Sequence, residues 1–147
     1  MKITAKSDYA ILALFHLALD TANRPVQSRD ISLAQRIPHR FLEQILLALK
    51  KAGLVKSVRG AKGGYQLAIA PTEISLRDAI EAVEGSIHLL GNREEDEIDE
   101  IIDNDRKFVK GIWTEIERHF IQDLASISLE DLKNRQQQQR DVLMYHI

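Results

Sequence analysis

The sequence predicts a mainly α protein with a small β-hairpin wing: a winged helix-turn-helix followed by a long C-terminal dimerisation helix. Three observations carry this. Between Lys6 and Gly53, three runs with helical apolar spacing are separated by short breaks. Two runs of period two, "LVKSV" and "YQLAI", then flank a basic, glycine-rich tip. Further on, an acidic segment leads into one long helical stripe. Residues 1–85 form the expected winged domain, and residues 86–147 the expected acidic linker and dimerisation helices.

The first helix runs from Lys6 to Leu19, with Ala10, Ile11, Leu14, Leu17 and Ala18 on its apolar side and Ser7 or Asp8 as the cap. "DTANRP" ends it. A short second helix follows, with Ser28 as the expected N-cap and Ile31 and Ala34 facing inward. "RIP" breaks the chain, and Pro38 fits at the start of the next helix, where its missing N–H costs nothing. In "HRFLEQILLALKKAG" the predicted buried stripe is Phe41, Leu42, Ile45, Leu46 and Leu49, with Gly53 as the stop. Two such helices joined by so short a turn make a helix-turn-helix.

The hairpin tip, "SVRGAKGGYQL", does not match the loops that hold nucleotides. A Walker loop ends in Lys-Ser/Thr and opens a helix, whereas "GAKGGYQ" leads into a strand. A wing lying along a polyanion backbone fits better, and an ordinary glycine-rich hairpin is the alternative. After Pro71, "ISLRDAIEAVEG" reads as a helix capped by Ser75, with Asp78 at its third position and Gly85 as its stop. From about Asn92 to Leu124, Ile98, Ile102, Val109, Ile112, Ile116 and Phe120 recur at helical spacings, with Trp113 beside them. A stripe that long needs a partner. A second copy of the chain, the chain's own first helix, or both can supply it. "SISLEDL" opens a last short helix capped by Ser128, and "RQQQQR" reads as its frayed or disordered end.

Charge sorts the function classes. Residues 1–70 hold 11 Lys and Arg against 4 Asp and Glu, and residues 71–147 hold 9 against 18. The basic half suits a polyanion surface. With no cysteine, disulfides, thiolate metal sites and cysteine nucleophiles are excluded, which fits a cytoplasmic protein. No apolar run approaches the ~18 residues of a membrane span. Ser7, Asp8, His16 and Asp20 interrupt the one stretch resembling a signal peptide. No nucleophile–base pair or cofactor loop suggests an enzyme, and no cofactor is expected.

The outer face of the third helix offers His39, Arg40, Glu43, Gln44, Lys50 and Lys51. Arg40 and Gln44, four apart, project together, and these side-chain types pair with guanine and adenine in the major groove. Glu43 can accept from cytosine or repel wrong sites. Ser28 and Arg29 suit phosphate contacts, as does Lys6. In the wing, Arg59 and Lys62 supply charge, and Gly60, Gly63 and Gly64 allow close approach. For each residue the alternative is a solvated surface. Eight carboxylates lie between Glu94 and Asp105. With His88 and His119 they could be metal donors, but without a ligand pattern they read as a solvated face, and no metal site is expected. His16 reads as a satisfied core or interface histidine.

Three stretches, "KITAKSDYAILALFHLA", "RFLEQILLALKKAGLVKSVRGAKGGYQLA" and "ISLRDAIEAVEG", closely resemble the Rrf family of winged-helix regulators, whose members include IscR, NsrR and CymR. Matches extend through Ile112–Trp113 and "ISLEDL". The resemblance implies a homodimeric transcription regulator bound to double-stranded DNA at a pseudo-palindromic operator. Its recognition helix would enter the major groove, its wing would lie beside it, and its long helix would cross that of the dimer mate. A protein or small-molecule effector is the remaining implied partner. Many members carry a trio of cysteines, holding an iron–sulfur cluster, where this chain reads "SIHLLGNREEDEIDEIIDNDRK". Some relatives add a ligand at the place of Asp8, for which helix capping is the reading here. The alternative function is an interaction adaptor of the same fold that has lost specific DNA binding.

Overall fold

The computed structural model describes residues 3–89 and 104–146. Its elements are α1 (Ala5–Leu19), α2 (Ser28–Gln35), α3 (His39–Lys51), β1 (Val55–Val58), β2 (Gly64–Leu67), α4 (Leu76–Glu84), α5 (Asn104–Ser126) and α6 (Leu129–Tyr145), with a 3-10 turn at Pro71–Glu73 before α4. The order is that of a winged helix-turn-helix with an appended helix pair. Ile98, Ile102 and most of the acidic segment 94–105 lie outside the described residues.

The helices start where local chemistry lets them. Thr4 caps α1 by accepting the Ser7 N–H, so the expected caps Ser7 and Asp8 are inside the helix. Ser7 is only 2% exposed, and its hydroxyl donates to Glu84, as does that of Thr4. The N-cap of α2 is Gln27, without a side-chain bond, rather than Ser28. Ser75 and Ser128 each form a capping box, with Asp78 and Asp131 at the third helical position. At the end of α3, Leu54 N–H reaches Leu49 O and Gly53 N–H reaches Lys50 O, each at 3.0 Å. Gly53 takes φ +77°, the left-handed residue of a Schellman stop.

The core lies among α1, α3 and α4. Leu14, Leu17, Ile31, Ile37, Leu42, Ile45, Leu46, Leu49 and Ile74 are buried there, with Val55 and Leu67 from the hairpin. Two expectations fail. Phe41 is 47% exposed, because α3 buries Leu42, Ile45, Leu46 and Leu49 and Phe41 falls at the edge of that stripe. Ala34 is exposed, because the α2–α3 turn folds Ile37 inward in its place. Arg36, left-handed at φ 53°, makes that turn, and Ser32 Oγ donates to Ile37 O at 2.6 Å to hold it. His16 is half-buried with Gln35 Nε2 3.2 Å from its Nδ1, so its polar edge is satisfied.

The hairpin pairs Val55 with Leu67 through Val58 with Gly64, antiparallel. Val26, just before α2, adds a bridge to Tyr65 through two backbone bonds of 2.8 and 2.7 Å. Packing also runs across the division expected at residue 85. Leu76 N–H donates to Ile127 O and Leu129 N–H to Ile74 O, both at 2.9 Å, and Leu129 is fully buried in the core. The polar stretch expected to fray is helical, since α6 continues to Tyr145. The main intrachain partner of α5 is α4, not the first helix. Leu89 N–H donates to Glu117 Oε2 at 2.5 Å, tying the chain after α4 to α5.

Candidate nucleic-acid interface

The interface is built by three contacts that join otherwise separate pieces. At the start of α2, Ser28 Oγ donates to Glu43 Oε1 of α3 at 2.8 Å. His39 Nε2 stands 3.2 Å from both atoms. The hydroxyl has one proton and gives it to the carboxylate, so it can accept from the imidazole N–H. At the other end of α3, Lys50 Nζ donates to Ser57 Oγ of β1 at 2.8 Å. Between them, the Val26–Tyr65 bridge fastens the lead-in of α2 to β2. Burial, and then the nearby Glu43 charge, push the Tyr65 phenol above its ordinary value. The start of α2, the outer face of α3 and the hairpin therefore form one continuous surface.

Most of the residues singled out in the sequence are on it. His39, Arg40, Glu43, Gln44, Lys50 and Lys51 are exposed along α3, Arg29 is exposed at the start of α2, and Arg59, Gly60 and Lys62 are exposed in the wing. Lys6 is exposed near the start of α1, and no hydrogen bond or ion pair joins it to the others among the described residues. The Arg40 guanidinium carbon lies 5.7 Å from the centre of the exposed Phe41 ring. The wing glycines divide by role. A Cβ on Gly64 would fall 2.3 Å from Val26 O, and one on Gly63 would fall 2.1 Å from Val58 O. Both positions are closed by the protein's own backbone, whereas Gly60 stands in open space. Sequence reasoning missed Val26, Tyr65 and Ser57. Their partners are distant in sequence, and only the period-two pattern of the hairpin hinted that Ser57 faces α3.

The fold that carries this surface is shared with known regulators. The family model of the Rrf2 iron-dependent transcriptional regulators matches residues 3–135. The chain belongs to the Rrf2 family. It is 36% identical to the HTH-type transcriptional regulator IscR of Photorhabdus laumondii over 137 residues, 93% of this chain and 82% of that protein. It is 30% identical to CymR of Bacillus subtilis over the full length of both. The crystallised CymR of B. subtilis, described as a global cysteine regulator, superposes with a TM-score of 0.75 over 92% of this chain and 98% of that one. IscR of T. potens gives 0.73 over 92% and 88%, at 33% identity. This Rrf2 protein is thus a DNA-binding transcription regulator and not an enzyme.

The iron in the family's description meets an obstacle in this member. It has no cysteine, so a cluster held by thiolates does not fit. Among the described residues, no group of three or more His, Cys, Asp or Glu side chains is placed to hold a metal ion. His88 Nδ1 lies 3.8 Å from Glu117 Oε1, and His119 lies beside Arg118. No helix among the described residues is long and apolar enough to cross a membrane.

Proposed function

We propose that this regulator acts in the cytoplasm as a homodimer, reads a pseudo-palindromic operator, and does so without a thiolate-held iron–sulfur cluster. The observation that carries the reading is the continuous basic surface from Ser28 and Arg29 through α3 to Arg59 and Lys62. Arg40 and Gln44 are the base-reading candidates on the outer face of α3, because their side-chain types form paired hydrogen bonds to guanine and adenine edges. Phe41, exposed beside Arg40, adds an apolar surface suited to a thymine methyl. Arg29, Lys50, Lys51, Arg59 and Lys62 are assigned to phosphates, and Lys6 to a peripheral one.

Dimerisation rests on α5. Phe108, Val109, Ile112, Trp113 and Ile116 are all exposed on it, and no residue of α5 is buried. Two such faces packed together would remove from water a stripe that the chain alone leaves open. Phe120 is half-buried and marks where the helix meets its own domain. The acidic segment 94–105 overlaps only the first two residues of this helix in the sequence, and its closely spaced carboxylates suit a signal-receiving role for a cation, a basic partner or protonation.

Genomic mapping of bound sites, paired with sedimentation equilibrium of the purified protein, tests the proposal. The expected outcome is a two-fold symmetric motif with half-sites about one helical turn, ~10 bp, apart, and a dimer mass. A monomer, or bound sites without a shared motif, would favour the adaptor reading instead. Iron and sulfide in stoichiometric amounts after anaerobic purification would refute the cluster-free part.

A further inference from the structure

A cleft of about 490 Å³ opens between the end of α1, the base of the wing and the start of α6. It faces away from the nucleic-acid surface. Val55 of β1 is buried and Ser57 reaches Lys50 of α3, so the period of two puts Lys56 on the opposite side of the strand, where it lines the cleft. The volume lies within the range of small-molecule sites, roughly 300–1,000 Å³. Its floor is fixed. Asn23, left-handed at φ 49°, donates to Leu67 O at 3.0 Å and accepts from Leu67 N–H at 3.1 Å. Ile69 adds an apolar wall.

The polar groups of the cleft are unevenly spent. Both carboxylate oxygens of Asp20 are taken, one by Ala22 N–H and the other by Arg24 Nε and N–H, and the Arg24 bond holds the carboxyl below its ordinary value. Lys133, whose side chain is only 18% exposed, has three donors and gives one to Glu130 at 3.2 Å. Lys56 has no hydrogen-bond or ion-pair partner among the described residues. Glu130 also lines the cleft and spends one oxygen, Oε2, on Lys133, so the spare donors sit on the two cations, Lys56 and Lys133, on different walls.

We propose that this cleft binds a small organic anion, a carboxylate or a phosphate ester, with Lys56 and Lys133 as its charge partners and Ile69 against its body. The two walls matter for regulation. Lys56 belongs to the wing, and Lys133 to α6, which follows α5 after Ile127 and Ser128. A bound anion would bridge the wing to the helix pair that carries the proposed dimer contact. It could then shift DNA affinity by favouring one arrangement of the two. That consequence rests on the proposed function, whereas the site itself does not.

The test therefore uses no DNA. The full chain, labelled for amide NMR, is titrated with inorganic phosphate and separately with citrate at constant ionic strength, and the titrations are repeated on Lys56→Gln and Lys133→Gln. The expected result is saturable shifts at residues 20–23, 67–70 and 130–133 with at least one of the anions, the tighter of the two naming the preferred head group. Each substitution should weaken binding by about tenfold, the scale of one lost charge-assisted hydrogen bond. Lys56 is exposed, so its variant keeps the test valid if Lys133→Gln fails to fold. Shifts centred instead on Arg40, Arg59 and Lys62, no saturable shift with either anion, or unchanged affinity in Lys56→Gln would overturn the proposal.

Discussion

Ser28 Oγ donates a 2.8 Å hydrogen bond to Glu43 Oε1, so the one carboxylate on the outer face of α3 is held in place by α2. His39 lies 3.2 Å from the same oxygen. A negative charge fixed on a surface meant for a polyanion opposes binding to any sequence. It is tolerated only where a base offers it a donor, such as cytosine N4. Under the proposed function, Glu43 would act as a filter and Arg40 and Gln44 as the readers.

Glu43→Gln should accordingly tighten binding to mixed-sequence duplex by about 0.5–1 kcal/mol, the scale of one exposed charge interaction, and narrow the gap between operator and random DNA. A fluorescence-anisotropy titration on both duplexes checks this. Equal or weaker binding to random DNA would remove the filter role.

The wing should respond to salt. Arg59 and Lys62 are exposed, and each neutralised phosphate contributes about −0.9 to the slope of log K against log salt. Arg59→Ala with Lys62→Ala should weaken binding and flatten that slope by about 1 to 2 if both touch phosphates. An unchanged slope would place the wing off the DNA.

Glycine substitutions in the same hairpin should separate packing from backbone freedom. Gly60→Ala meets only its φ of +113°, with open space around the new methyl, and should cost about 1 kcal/mol. Gly64→Ala sets a methyl 2.3 Å from Val26 O at φ +144°. The Val26–Tyr65 bridge must then open, so the loss should exceed that of Gly60→Ala by about 2 kcal/mol or more, the strain and the lost bonds together. Urea unfolding of the two variants decides it.

The elements legible in the sequence are those set by neighbours along the chain. Ser75 with Asp78, and Ser128 with Asp131, are capping boxes that need only four residues to form; the first pair and the Ser128 cap stand as read, and the part of Asp131 is added by the structure. Gly53 and Gly85 end helices for equally local reasons. What was illegible depends on distant partners. Thr4 rather than Ser7 caps α1 because Ser7 is drawn inward beside Glu84, far along the chain. Phe41 keeps helical spacing with the core stripe yet is exposed, since spacing gives a direction and not the width of the buried face. Along α3 the candidate residues could be read, because a helix shows its outer face by default. The contacts that join them to the hairpin, Lys50 to Ser57 and Val26 to Tyr65, could not.

Leu129 should prove to be a core residue of the N-terminal domain although it starts the last helix. It is fully buried, and its N–H is bonded to Ile74 O. Leu129→Ala should cost about 2–5 kcal/mol, as for other buried leucines, and a chain ending at Ser126 should unfold at lower denaturant than the whole. Equal stability of that shorter chain would mean the winged domain closes without α6.

The start of α6 should also give stability a pH dependence. Asp131 is held below the ordinary aspartate value, chiefly by the Ser128 backbone N–H at 2.9 Å, then by the Ser128 hydroxyl, with Arg135 adding to this and burial opposing it. The unfolded chain has no such partners, so it binds the proton more tightly than the folded one. The stabilisation is therefore fully present above the unfolded value near 3.8 and is lost as pH falls below it, through the folded value. Asp131→Asn keeps the side-chain shape but removes the charge. The variant should be less stable than the parent at neutral pH, and the difference should shrink once the medium is more acidic than the unfolded aspartate value. Asp20, held low by Arg24, titrates in the same direction in both proteins and cancels from the comparison. Paired urea unfolding curves at neutral and acid pH measure the difference directly. A gap that stays constant across that range would show that Asp131 acts through its shape and not its charge.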